Sequence, residues 1–146
     1  MTFQPHPTSI EWHMHFASPP ERVFAAVDTQ NGRESFWAES APERDGCILF
    51  TILNYPPFSG RILQRDPPHK LILEYFGTTV EFSLISDQHG GTDLALLCTN
   101  VEESLRHEMT AGWVSVLMAM KGAVDFGIDL RNHDPARSWQ QGYADN

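Results

Sequence analysis

Hydrophobic and polar residues alternate along one short stretch near the start of the chain, from position 10 to position 16. In an extended chain, side chains two positions apart share a face. One face would carry only apolar side chains and the other only polar ones: Ile10, Trp12, Met14 and Phe16 against Glu11, His13 and His15. The pattern predicts a strand with one buried face and one solvated face.

Two short helices are predicted directly after this strand. Ser18 can cap the first helix, and Pro19 then occupies its first helical position. The inward stripe of this helix would consist of Val23, Phe24 and Val27. A second short helix is predicted over residues 32–37, with Phe36 and Trp37 as its apolar anchors.

Five more strands and a long helix complete the predicted elements. The strands cover residues 47–53, 60–66, 70–76, 79–86 and 92–100. Because short turns connect consecutive strands, an antiparallel meander is expected. The helix over residues 106–127 repeats apolar side chains at helical spacing. Its stripe comprises Met109, Trp113, Val116, Leu117, Met120, Ala123 and Val124, and Val114 and Met118 would widen it.

This order of elements predicts an α+β domain with an internal cavity. A long helix that follows a meander of short strands is expected to lie across the concave face of the sheet, with an elongated space between them. The candidate wall residues are Trp37, Phe50, Tyr75, Phe82, Trp113, Leu117 and Met120. Alternatively, these side chains simply pack against each other, since a helix stripe is more often core than binding site.

Length and composition favour a single domain over residues 1–146. The hydrophobic share of 41% is ordinary for a globular protein. Residues 1–9 are predicted to form a loose arm, and residues 128–146 a polar tail beyond the long helix. Trp139 and Tyr143 suggest that this tail docks onto the body or onto a second subunit, which makes a homodimer one alternative.

Charge and cysteine content narrow the function classes. The net charge is −9, and such a surface repels nucleic-acid phosphates. No apolar run is long enough to cross a membrane, and no signal peptide is visible, so a cytoplasmic location is expected. Cys47 and Cys98 are far apart in sequence and are interpreted as reduced, buried thiols.

Several polar side chains are candidates for chemistry. His13 and His15 share a strand face with Glu11 and could reach one metal ion, but a solvated face is the favoured interpretation, and no metal is predicted. His107, next to Glu108, is a candidate polar group at the cavity mouth; ordinary helix-end surface chemistry is the alternative. No cofactor-binding motif is present, and no cofactor is predicted.

Two further polar features leave alternatives open. Tyr75 would place a hydroxyl inside an apolar wall, where its partner could be a ligand or a backbone carbonyl. Arg61 and Arg65 share a strand face; they form an anion site if that face points inward. The favoured alternative puts Ile62 inward and leaves both arginines solvated.

Several segments of the chain, in order, resemble a known family. They are residues 16–24 (FASPPERVF), 60–63 (GRIL), 66–71 (DPPHKL), 91–94 (GTDL), and 107–108 (HE) followed by 111–113 (AGW). The chain is similar over residues 10–127 to the START-like, helix-grip superfamily, within it to the group of the C-terminal domain of the heat-shock protein 90 ATPase activator. The resemblance implies a curved antiparallel sheet that grips a C-terminal helix around a hydrophobic cavity.

The same resemblance leaves the function open, because members bind lipids, hormones or polyketides, and some catalyse cyclisation or hydrolysis. Our hypothesis is binding of a small apolar or amphipathic molecule. The alternatives are a cofactor-free cyclase or hydrolase that uses His107 or Tyr75, and an interaction protein of the co-chaperone type. Relative to the family, residues 128–146 are expected to form a tail beyond the closing helix, and the extra domain of the eukaryotic co-chaperone is not expected.

Overall fold

One antiparallel sheet and one long helix form the framework of the protein. The computed structural model describes residues 3–146. The elements in chain order are β1 (Ile10–Phe16), α1 (Pro20–Asp28), α2 (Gln30–Phe36), β2 (Glu43–Arg44), β3 (Cys47–Phe50), β4 (Phe58–Asp66), β5 (Lys70–Tyr75), β6 (Thr78–Ser86), β7 (Thr92–Thr99) and α3 (Glu103–Phe126), with a short 3₁₀ turn at Trp139–Gln141.

The seven strands lie in the order β1-β7-β6-β5-β4-β3-β2, and every neighbouring pair is antiparallel. The meander from β2 to β7 is therefore closed at one end by β1, which pairs with β7 from Ile10 opposite Cys98 to Phe16 opposite Thr92. A register shift between Ile62 and Gln64 interrupts the pairing of β4 with β5. The predicted α+β helix-grip fold is confirmed.

The alternation in β1 is realised as predicted. Ile10 and Phe16 are fully buried, Trp12 and Met14 are partly buried, and the three polar residues between them are exposed. The five later strands are also confirmed, with ends that differ by up to three residues. β2 was missed because it has only two residues, both exposed, and so carries no hydrophobic pattern.

The predicted cap of the first helix is wrong. Pro19 occupies the cap position, α1 begins at Pro20, and Ser18 makes no capping hydrogen bond. Instead, Ser18 donates from its backbone N–H and its hydroxyl to Asp125 Oδ1, at 3.2 and 2.8 Å. The Asp125 carboxylate also accepts from the Ala17 backbone N–H at 2.9 Å. Ser18 thus ties the β1–α1 connection to the end of α3.

The second helix begins two residues earlier than predicted. Thr29 caps it, since its Oγ1 accepts a hydrogen bond from the Gly32 N–H at 3.0 Å. Arg33 in this helix is almost completely buried and donates to the backbone carbonyls of Ala41 and Val27. Burial lowers the pKa of Arg33, against the opposing charges of Glu43 and Asp28.

The long helix runs from Glu103 to Phe126 and ends where Gly127 adopts a left-handed conformation with φ of 66°. Its inner face is buried and packs on β1, α1 and α2. Val114 and Met118 are 40% and 49% exposed, so the expectation that they widen the inner stripe is wrong. Over residues 3–146, no helix combines the length and the apolarity that a bilayer crossing requires.

The N-terminal end of the described chain contacts this framework. The Gln4 side chain hydrogen-bonds the backbone of Glu11, and the Phe3 ring lies edge-on to Trp12 with centroids 5.4 Å apart. Arg106 of α3 donates to the carbonyls of Gln4 and Ser9. The described part of the predicted loose arm, residues 3–9, therefore lies against β1 and α3.

Candidate functional site

Trp37 lies at the centre of a cluster of aromatic rings in the protein interior. Its ring centroid lies between 5.0 and 6.1 Å from the centroids of Phe50, Tyr75, Phe82 and Trp113. All five side chains are at most 8% exposed. The rings meet in tilted or edge-on geometries, which are the favourable ones for aromatic pairs. They fill the space between the sheet and the middle of α3.

An open cavity of about 300 Å³ lies beside this cluster, toward the first half of α3. Its walls come from α3, from the segment after β3, from the end of β5 and the turn that follows it, and from the C-terminal tail. The lining residues are Ile52, Tyr55, Tyr75, Phe76, Leu105, Glu108, Met109, Gly112, Trp113, Ser115, Val116, Trp139 and Asn146.

Two of the seven wall residues expected from the sequence, Tyr75 and Trp113, line this cavity. The other five lie in the buried core and are not among its lining residues: Trp37, Phe50, Phe82, Leu117 and Met120. Large aromatic side chains occupy the centre of the space between sheet and helix. The opening is displaced toward the N-terminal half of α3 for this reason.

One face of α3 supplies the floor of the cavity. Leu105, Glu108, Met109, Gly112, Trp113 and Val116 recur at intervals of one, three or four residues, which places them along one side of the helix. Gly112 leaves the helix surface low at this point, and a β-carbon built there would touch the Trp139 ring at 3.9 Å. Of these six residues, the helical spacing in the sequence predicted Met109, Trp113 and Val116 to face inward.

The C-terminal tail forms one wall of the cavity through Trp139 and Asn146. The Trp139 indole Nε1 donates to Glu108 Oε1 at 2.9 Å, and the Gln140 side chain donates to the Asn54 carbonyl at 3.1 Å. Ser115 of α3 donates to the Ala144 carbonyl. The tail therefore docks onto the body of its own chain, one of the two alternatives that its aromatic residues suggested.

A polar cluster anchors the start of the tail to α2 and the connection after it. His133 bridges two carboxylates, with Nδ1 2.7 Å from Glu39 Oε1 and Nε2 2.7 Å from Asp129 Oδ2. Arg131 pairs with Asp129 and donates to the carbonyls of Ala38 and Glu34. Hydrogen bonds to the carboxylates of Asp129 and Glu39 raise the pKa of His133.

The titratable side chains among the described lining residues are Tyr55, Tyr75 and Glu108. Burial raises the pKa of Tyr75 strongly. Burial and the charge of Glu108 raise the pKa of Tyr55. Both phenols therefore stay protonated at neutral pH and act as hydrogen-bond donors or acceptors. They are poorly suited to act as bases.

One buried donor at the inner end of this region is unsatisfied. Trp37 is 5% exposed, and within residues 3–146 its indole Nε1 has no partner in hydrogen-bond geometry. Such a group costs free energy when it is buried without a partner. The ring centroid of its neighbour Tyr75 lies 5.2 Å away, and Tyr75 lines the cavity.

The other candidate residues lie elsewhere. His107 is adjacent to Glu108, but successive helical residues point about 100° apart. His107 therefore borders a second, more open depression with Phe3, Trp12 and Arg106. No group of three histidine, cysteine or acidic residues suited to a metal ion is found in the part of the chain from residue 3 onward. His15 instead bonds Asp93 at 3.0 Å.

The candidate arginines and cysteines do not line the cavity. Arg61 is exposed, and Arg65 forms ion pairs with Asp28 and Glu43, so neither contributes to an inward anion site. Cys98 is fully buried, and this burial raises the pKa of its thiol. Cys47 is only partly buried, contrary to expectation, and both thiols are free.

Fold and cavity together define a helix-grip protein whose long C-terminal helix borders an apolar pocket. The model of the family "Activator of Hsp90 ATPase homolog 1-like protein" matches residues 17–125, which run from just after β1 almost to the end of α3. The chain belongs to this family. No curated protein matches the chain at a significant level.

Solved structures share the same fold. The solution structure of the Aha1 dimer from Colwellia psychrerythraea is 17% identical, with a TM-score of 0.73 over 82% of this chain and 97% of that one. CalU16 from Micromonospora echinospora is 25% identical, with a TM-score of 0.63 over 81% and 76%. DynU16, a protein of the dynemicin biosynthetic locus, is 16% identical, with a TM-score of 0.73 over 84% and 49%.

Proposed function

We propose that this protein binds a small apolar or amphipathic molecule in the cavity between the first half of α3, the sheet and the C-terminal tail. The observation that carries the proposal is the cavity itself, which has a largely aromatic and aliphatic lining and is partly open to solvent. Ligand sites are typically concave, mostly apolar and furnished with a few polar groups. A volume of about 300 Å³ is at the small end of that class.

Binding is favoured over catalysis by the polar groups present. Tyr55 and Tyr75 offer hydroxyls, and Glu108 offers a carboxylate near the opening. These groups can orient a ligand through hydrogen bonds. His107, the histidine considered as an acid or base, lies on another side of α3. A nucleophile with an adjacent base, the usual sign of covalent catalysis, is not found among the described lining residues.

The proposal is tested by filling the cavity and leaving the fold intact. Val116 faces the cavity, whereas Val114 is 40% exposed on the outer side of the same helix. We expect Val116→Phe to abolish binding of the neutral fluorophore N-phenyl-1-naphthylamine, and Val114→Phe to leave it unchanged. Equal binding by both variants, with unchanged circular dichroism, would contradict the placement of the site. Native mass spectrometry of the gently purified protein shows directly whether a molecule is retained.

A second candidate function is binding to a partner protein, as the family name describes for activators of the Hsp90 ATPase. The exposed apolar side chains Val114 and Met118 on the outer face of α3 favour it. Under this proposal Val114→Glu with Met118→Glu would abolish any stimulation of a chaperone ATPase.

The native mass spectrum also distinguishes a monomer from a dimer, the form in which the Colwellia protein was solved.

A further inference from the structure

The charge of the cavity wall is unusual for a site that would accept fatty acids or other anions. Glu108 is the one lining residue with a charged side chain in the described part of the chain, and the remaining lining side chains are neutral. An anionic ligand would find no cation to pair with and would face this carboxylate. The overall charge of −9 acts in the same direction.

Within residues 3–146, Glu108 has no positively charged partner. The ion pairs found among residues 3–146 do not include it. Arg106, two positions earlier on α3, is turned away and donates to the carbonyls of Ser9 and Gln4. The carboxylate instead accepts one hydrogen bond, from the Trp139 indole, which fixes its position at the cavity wall.

Aromatic rings border the same cavity. Tyr75 contacts Trp113 and Phe76 with ring centroids 5.4 and 4.8 Å apart, and Phe76 lies 5.4 Å from Tyr55. Trp139 adds a further ring beside Glu108. The faces of aromatic rings attract cations, and ammonium groups are recognised by several rings acting together. Glu108 is exposed beside the Trp139 ring, and its negative charge adds to this preference.

We infer that the ligand of this cavity is a cationic amphiphile, with an apolar body against Trp113, Met109 and Val116 and an ammonium group near Glu108. The inference rests on the proposed function, because it specifies the chemical class of molecule that the same cavity binds. Protonated amines and quaternary ammonium ions share the relevant chemistry. The same arrangement disfavours anionic amphiphiles.

Three probes with the same decyl chain separate charge from apolar burial: decyltrimethylammonium, decanol and decanoate, each kept below its micelle concentration. Displacement of N-phenyl-1-naphthylamine reports their affinities for the full chain. We expect decyltrimethylammonium to bind roughly five- to tenfold more tightly than decanol, and decanoate to bind most weakly. Added salt should reduce the preference for the cation.

Glu108→Gln is the decisive variant, because the amide oxygen can still accept the Trp139 hydrogen bond. It should bring the affinities for decyltrimethylammonium and decanol to within about twofold of each other and leave decanol binding unchanged. Glu103→Gln is the matched control, since it removes the same charge from α3 at a residue outside this cavity. The control should retain the preference for the cation.

The outcomes distinguish this inference from the function on which it rests. If decanol binds as well as the cation, or if Glu108→Gln keeps the cationic preference, the inference is overturned and the apolar binding function stands. If none of the probes displaces the fluorophore, and Val116→Phe does not change fluorophore binding, both are overturned. Preferential binding of decanoate would overturn the charge argument directly.

Discussion

Trp139 donates its indole N–H to the carboxylate of Glu108 across 2.9 Å, and this contact joins the C-terminal tail to the long helix. Both residues line the cavity, so one hydrogen bond positions both the tail wall and the acidic group beside the opening. The ring also lies over Gly112, where the helix has no side chain. Tail docking and cavity shape are consequently linked.

Trp139→Phe should separate the contribution of this hydrogen bond to the stability of the fold from its contribution to fluorophore binding. The ring remains, but the hydrogen bond to Glu108 is lost, with a cost of about 1 kcal/mol or less in the free energy of unfolding because the contact is exposed. The affinity for N-phenyl-1-naphthylamine should fall, since the wall is less firmly held. Denaturant unfolding and fluorophore titration measure the two effects. Tyr143→Phe is the control, and an equal loss of affinity there would contradict a specific role for Trp139.

The anchor at His133 predicts a pH dependence of tail docking. The pKa of His133 is raised in the folded protein, so its contribution to stability is full below the unfolded value of about 6.5. That contribution is lost as the pH rises through the folded pKa. Because the side chain is 38% exposed, solvent screening limits its size to less than about 1 kcal/mol.

Limited proteolysis of the tail as a function of pH measures this effect. We expect cleavage to become faster as the pH rises from acidic to mildly alkaline values, and we expect His133→Asn to remove the dependence. His107→Asn, which changes a histidine outside the anchor, should behave as the unmodified chain does. A His133→Asn protein with an unchanged pH profile would show that another group controls docking.

The network around Asp125 predicts a loss of stability in acid. Burial acts to raise the pKa of Asp125, but hydrogen bonds from Ala17, Ser18 and Lys121 outweigh it and lower the pKa. The contribution of Asp125 is therefore present above the unfolded value of about 3.9 and is lost as the pH falls through the folded pKa.

Asp125→Ala should cost roughly 2–3 kcal/mol at neutral pH, because it removes the acceptor of several hydrogen bonds at once. Urea unfolding at neutral and acidic pH measures this loss. The cost should shrink in acid, where the native carboxyl is already protonated. Asp93→Ala, at a residue with an exposed side chain, is the control and should cost much less.

The aromatic cluster predicts which residues matter for stability and which matter for binding. Phe82→Ala should cost about 3–5 kcal/mol, because the ring is 1% exposed and contacts Trp37 and Trp113. Phe76→Ala should cost far less, since its ring is 42% exposed at the cavity wall. Phe76→Ala should instead weaken fluorophore binding. The reverse order of the two unfolding free energies would contradict the division between core and wall.

The sequence predicted the framework well where one face of an element is apolar. The alternation in β1, the strands of the meander and the inner stripe of α3 are all read from local spacing. Ser18 is different, because a cap and a long-range partner compete for the same hydroxyl. In the structure the hydroxyl donates to Asp125, which is more than a hundred residues away in the sequence. Local spacing cannot predict such a contact.

The cavity was harder to place than the fold. Hydrophobic spacing predicts that both Trp37 and Trp113 are buried. It does not show which of them packs in the core and which lines the cavity. That distinction depends on how the rings pack around Trp37 in three dimensions. The sequence placed Glu108 near the cavity mouth together with His107, but it did not reveal the contact with Trp139, because Trp139 lies in a tail without periodicity.

The family match ends at residue 125, yet Trp139 and Asn146 complete the cavity from beyond that point. The gripping scaffold and the piece that closes the site are thus separate stretches of chain. Replacing the tail would change the cavity wall and leave the residues of the family match unaltered. Grafting this tail onto a relative that ends at its closing helix would therefore transfer the part of the cavity wall that Trp139 and Asn146 form.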